Sequence, residues 1–247
     1  MTEYFSYDYH GAPFHLFGPA HLWTTFAIGL VFWLLLRAGR RDPELRPRVR
    51  WGIVAVMLGL EAASHWFWAA GGGWTVRSML PLHMCGIMTW VASIGLAFRV
   101  RRIYPLIFFL GIGGAIQAII TPDAGVYGFP HFRFFEAMLS HAALVFAGLW
   151  VVIAEDVRPT GRDLAETFVG LNLYALVIYF INVGLGSNYL YVNGKPEVAT
   201  AMDFMPEWPY YILVLEALAL GLFTLMYLPF WWQRTYGPAA DRNVSAA

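Results

Sequence analysis

Three clusters of titratable side chains stand out in an otherwise apolar chain. The first is Glu61-Ala-Ala-Ser64-His65. Glu61 and His65 are four residues apart, which puts them on one helical face, where a carboxylate can orient an imidazole. The second is Leu80-Pro81-Leu82-His83-Met84-Cys85. Proline suits the first turn of a helix, because its missing N–H would have no partner there. His83 then sits near the positive end of a helix dipole, a place for anions and for a neutral imidazole base. Cys85 follows two residues later and points nearly the opposite way, so within one helix it does not pair with His83 and reads as packing. The third cluster starts at Gln117 and Thr121, which share a face. It turns at Pro122-Asp123 and continues through His131-Phe-Arg133-Phe-Phe-Glu136 to Ser140-His141. Arg133 and Glu136 are three apart and can pair. The planar guanidinium of Arg133 also matches a phosphate or carboxylate bidentately.

These positions define the expected site. His83, His141 and Glu136 are the candidate acid–base groups. Arg133, Gln117, Asp123, His131, His65, Glu61 and Asn182 are candidate substrate contacts. No metal or cofactor is needed for that chemistry. The competing structural reading is that some of these groups are hydrogen-bonding glue between helices.

What holds them follows from composition. The chain of 247 residues is 59% hydrophobic and 13% charged, where a soluble domain carries about a quarter charged residues. Its mean hydropathy is +0.55. A hydrocarbon layer of about 30 Å takes roughly 20 apolar residues per helix. Seven segments qualify, at residues 19–36, 51–70, 79–98, 103–121, 132–154, 164–184 and 208–232. Backbone in lipid must satisfy its own hydrogen bonds, so each is expected to be a helix. No basic stretch precedes the first segment, which argues against a cleaved signal. The single cysteine excludes a disulfide framework and the zero net charge gives no sign of a nucleic-acid partner.

Charge sets the orientation. Arg37, Arg40, Arg41, Arg46, Arg48, Arg50, Arg99, Arg101, Arg102, Arg158, Arg162, Arg234 and Arg242 fall on one side, and only Arg77, Arg133 and Lys195 on the other. The split alternates loop by loop only for an odd number of spans, and the positive-inside rule then puts the N-terminus outside. The expected architecture is an all-α membrane protein: a seven-helix transmembrane bundle, N-terminus outside and C-terminus cytoplasmic. It is read as one polytopic domain over residues 1–247, multi-pass in the cell membrane. The arginine-rich first loop is expected to meet anionic headgroups. The sequon Asn243-Val-Ser245 falls in the cytoplasmic tail and is expected to be inert.

This topology puts all seven histidines on the outer side or in the outer half of a span. Glu136, Asp123, Glu216, Gln117, Asn182 and Asn188 follow, while Glu61 and Asn172 lie nearer the middle. Ionisable groups inside a bilayer are costly and usually face the bundle interior. A polar cavity in the outer membrane half is therefore expected, with membrane lipid as partner and a lipid or small anion as substrate. The loop Gly186–Glu207 is the longest external connection, and Asn193-Gly194 reads as a turn within it.

The motifs LPLHMC, GGAIQAIITPD and FPHFRFFEAMLSH on seven spans resemble the YwaF-like bacterial integral membrane proteins, from about residue 20 to 230. More distantly they resemble a eukaryotic family of membrane acyltransferases that move polyunsaturated acyl chains onto ether phospholipids. That resemblance implies acyl transfer at a lipid-facing site. The eukaryotic family carries a Pro-Cys-His motif, which Pro81 and His83 match at its ends, with Leu82 at the cysteine position. His141 resembles that family's later histidine. Two other classes compete. One is a metal-dependent hydrolase drawing on His65, His83, His131, His141, Asp123 and Glu136. The other is a non-catalytic transporter, sensor or receptor.

Overall fold

A computed structural model describes residues 3–122, 125–196 and 200–237. Asp123, Arg242 and the sequon at Asn243 lie outside the described residues. Among the described residues there are seven apolar helices: α1 (Pro19–Arg41), α2 (Arg46–Ala70), α3 (Met84–Phe98), α4 (Arg101–Ile120), α5 (Phe132–Ile153), α6 (Gly161–Leu185) and α7 (Tyr210–Tyr236). Among the described residues there is no β-strand. Six of the seven are long and apolar enough to cross a membrane. The exception is α3, with 15 residues, which spans only about 22 Å. This is a multi-pass membrane protein.

Local sequence explains most boundaries. Pro19 opens α1. Thr160 and Asp163 form a reciprocal capping box at the start of α6, and Gly186, at φ +63°, closes it in the left-handed conformation that glycine tolerates. α4 is not a regular α-helix: it starts with a 3-10 turn, and Ile107–Ile112 is π-helical. A methyl group on Gly111 would come within 3.2 Å of the Leu144 carbonyl, so α4 and α5 touch backbone to backbone, as the glycine run predicts.

The chain forms two compact units. Unit 1 draws on Met1–Trp74 and Met84–Asp156, and unit 2 on Thr75–His83 and Val157–Ala247. In unit 1, α5 is the central helix, buried along most of its length by Phe134, Met138, Leu144, Phe146 and Trp150. One end of this unit is closed by a buried ion pair, Arg50 Nη1 to Glu155 Oε1 at 3.0 Å. Trp150 Nε1 also donates to that carboxylate, and Arg101 donates to the Glu155 carbonyl. Arg46 donates to the carbonyl of Gly39. Two of the first-loop arginines expected at headgroups thus hold protein groups.

In unit 2, α6 and α7 bury little and expose Leu173, Phe180, Leu213 and Leu225. Such apolar surface belongs in lipid. The loop after α6 folds back onto residues 75–83. Tyr189 Oη donates to the carbonyl of Val76 and accepts from Leu80 N, while Tyr174 Oη donates to the carbonyl of Leu82. These tyrosines take up the backbone groups that a helix would otherwise satisfy. α3 accordingly begins at Met84, five residues later than the hydropathy suggests, and Pro81 lies in a turn before it.

Candidate functional site

Polar side chains from three helices of unit 1 converge. α2 contributes Glu61 and His65, α3 contributes Cys85, and α5 contributes Arg133, Glu136 and His141. The one-helix geometry expected for Glu61 and His65 is present: His65 Nε2 lies 3.4 Å from Glu61 Oε1. Trp74 Nε1 donates to His65 Nδ1 at 2.8 Å. An indole only donates, so Nδ1 accepts, and Nε2 carries the proton directed at Glu61. Trp90 of α3 and the Glu136 carboxylate also lie within electrostatic reach of Glu61.

Arg133 pairs with Glu136, and both side chains are largely buried. The guanidinium stacks over Trp68, 5.3 Å from the ring centre, and its buried Nε has no hydrogen-bond partner among the described residues. One turn beyond Glu136, His141 Nδ1 donates to the Ala137 carbonyl at 2.7 Å. That bond occupies Nδ1 and leaves Nε2 as the nitrogen that can exchange a proton. The Cys85 thiol and the Glu136 carboxylate both lie close enough to act on this imidazole. Cys85 of α3 and His141 of α5 thus bring a thiol and an imidazole side by side. Within unit 1 this is the arrangement that activates a nucleophile: a base in reach of the thiol, itself oriented by a further acceptor.

Comparison with known proteins shows the family. A model of the TMEM164 family matches residues 16–227, most of the chain. The chain belongs to the TMEM164 family. An uncharacterized protein of Treponema pallidum (strain Nichols) is 29% identical over 164 residues, 65% of this chain and 65% of the relative. The alignment thus spans just under two thirds of that relative's length. No solved structure matches the chain. The family match includes every member of the Glu61–His65–Cys85–Arg133–Glu136–His141 cluster. It excludes the N-terminal segment that packs beside them.

That segment decides the role of His131. His131 is fully buried and caps α5: its Nδ1 accepts from Arg133 N, and its Nε2 donates to the Ser6 carbonyl at 3.0 Å. Tyr9 and Tyr127 flank the ring, each with its centroid 4.6 Å away. Burial holds this imidazole below its ordinary value and pushes the Tyr127 phenol up. Both His131 nitrogens are occupied by backbone, so the side chain holds the N-terminal segment in place. His21 does the same elsewhere in unit 1. It accepts from Phe17 N and donates to the Ile119 carbonyl at 2.8 Å. Gln117 lies on an exposed face and bonds its own helix at the Gly113 carbonyl.

His83 and Asn182 belong to unit 2. His83 Nδ1 accepts from Leu190 N at 3.4 Å, and its ring packs against Tyr189 and Tyr191. Asn182 is fully buried and fully used. Its amide donates to the Tyr189 carbonyl and to Asn193, and its carbonyl accepts from Ser187 and Tyr189 N. It is the hub of the loop after α6, on which Asn193-Gly194 forms a bend.

Among the described residues no three His, Cys, Asp or Glu side chains are arranged to hold a metal ion. Two apolar grooves are prominent, one of about 750 Å³ in unit 1 and one of about 720 Å³ in unit 2, and neither is lined by Cys85 or His141. Cys85, which spacing along the chain assigns to packing, is brought beside His141 by the fold. Its partner is 56 positions away on another helix, so no local spacing signals it.

Proposed function

We propose that this chain is an acyltransferase-like enzyme acting on membrane lipid, with the reacting groups in a cavity of the outer membrane half and the N-terminus outside. The observation that carries the reading is the pairing of the Cys85 thiol with the His141 imidazole. In the first half-reaction His141 Nε2 takes the thiol proton. The thiolate attacks the ester carbonyl of a donor lipid, the ester C–O bond breaks, and the imidazolium returns the proton to the departing alkoxide. The acyl chain is then a thioester on Cys85. In the second half-reaction the hydroxyl of an acceptor lipid gives its proton to His141 and attacks the thioester. The C–S bond breaks, and the thiolate regains the proton. Ester replaces ester, so no other energy source is needed.

Glu136 stabilises the imidazolium that forms in each half-reaction, as a buried carboxylate does beside a catalytic histidine. Arg133, with an unused Nε beside that carboxylate, is the group suited to a lipid phosphate. Glu61, paired with His65, faces the Glu136 carboxylate. His83 takes no step in this scheme.

The test uses purified protein in liposomes that contain a phospholipid with a labelled acyl chain and an unlabelled lysophospholipid. Wild type should carry a hydroxylamine-sensitive label on Cys85 and form labelled product by mass spectrometry. Product formation at the wild-type rate in Cys85→Ala would end this reading.

A further inference from the structure

The groove in unit 2 is open, apolar and set between α6 and α7. Its walls are aliphatic, with Val169, Leu173, Leu176 and Leu213, and Trp208 and Tyr210 line it where α7 begins. A volume of about 720 Å³ is that of a site for one small amphiphile. One feature does not fit an ordinary lipid-facing surface. Glu216 of α7 lines the groove beside Asn172 of α6, and Asn172 Nδ2 donates to Glu216 Oε2 at 2.8 Å. Among the described residues no basic side chain pairs with Glu216. An ionisable group at this depth ordinarily has an opposite charge or faces a ligand path.

Chemistry restricts the occupant. The unused atoms of the pair, Glu216 Oε1 and Asn172 Oδ1, are acceptors. A diacyl lipid brings ester carbonyls to this depth, which accept as well and would leave both atoms unpaired. A primary ammonium donates three hydrogen bonds and cancels the carboxylate charge. Glu216 is six residues into α7, roughly 9 Å from its start. An ammonium there sits just below the interface, and a single chain runs on along the aliphatic wall. The geometry points to a binding site for a single-chain lipid amine, held by Glu216 and Asn172. It stands apart from the acyl-transfer reading, because it needs no turnover.

A photoreactive octadecylamine in phosphatidylcholine nanodiscs tests it on the full chain. Crosslinks should map to 168–176 and 208–216, and octadecylamine should compete at least about tenfold better than octadecanol. Glu216→Gln, which keeps the shape, should remove that preference. Leu173→Trp should fill the groove and abolish crosslinking with the melting temperature unchanged. Equal competition by octadecanol would overturn the proposal, since the groove would then take any chain. So would undiminished amine preference in Glu216→Gln, or crosslinks joining two copies of the chain in place of probe adducts.

Discussion

The polar network around Asn182 in unit 2 and the cluster around His141 in unit 1 use their groups in opposite ways. In unit 2, Asn182 makes all four of its hydrogen bonds within its own loop, and Tyr189 both donates and accepts. Nothing in that network is left to offer. In unit 1, the cluster on α2, α3 and α5 is unfinished. Among the described residues, His141 has Cys85 beside it and a hydrogen bond only at Nδ1, and Arg133 Nε has no partner. Both place polar atoms among apolar helices, but only the Asn182 network closes on itself. A closed network stabilises, whereas open valences beside a nucleophile are what a reaction requires. Counting used and unused lone pairs separates the two more sharply than counting polar residues.

The largest effect that sharpens this contrast should come from Cys85→Ala. It should abolish the thioester, with little change in melting temperature, because a small thiol is replaced by a methyl. His141→Ala should slow product formation by about 10²–10⁴-fold, the usual worth of a general base. A drop in melting temperature for Cys85→Ala as large as that for Asn182→Ala would collapse the contrast.

Asn182→Ala should behave in the opposite way. It strands the buried N–H and carbonyl of Tyr189, at about 1–3 kcal/mol for each orphaned group. A clear fall in thermal stability in detergent is expected, measured by the unfolding transition. Glu136→Gln lies between the two. It leaves a buried guanidinium without its counter-charge, which costs about 3–5 kcal/mol. The double variant Arg133→Met with Glu136→Leu should recover much of that stability while remaining inactive. Recovery of activity in the double variant would remove Glu136 from the mechanism.

The smallest effect is a pH dependence. Burial holds the folded-state His131 below its ordinary 6.5. The stability that depends on neutral His131 is therefore complete above about pH 6.5 and is lost as the pH falls through the lower folded value. Melting temperatures between pH 7.5 and 5 should fall on the acid side in wild type, and less in His131→Asn, which can still cap Arg133 N. An identical acid slope in both proteins would show that His131 is not the group that titrates.

Much of the fold is legible in the chain itself. Runs of apolar residues of membrane length specify α1, α2 and α4 to α7, because lipid leaves the backbone no alternative to a helix. Close spacing on one helix also predicts the Glu61–His65 and Arg133–Glu136 pairs, since residues three and four apart share a face whatever the rest of the protein does. Where local spacing ends, so does that reading. The start of α3 was displaced by tyrosines 92 to 109 residues away. His131 has the composition of a ligand and the contacts of a cap, because Ser6 lies 125 positions away.

The sequence by itself determined the class of protein, the helices and the set of groups that chemistry could use. Only the tertiary structure decided which of them meet. Cys85 and His141 come together because of the rotation of α3 and α5 about their own axes. That rotation is set by packing along the whole length of both helices, with the Gly111 contact on α5 and the Trp90–Glu61 approach between α3 and α2. No single residue encodes it, so a lone cysteine read as packing became the partner of a base.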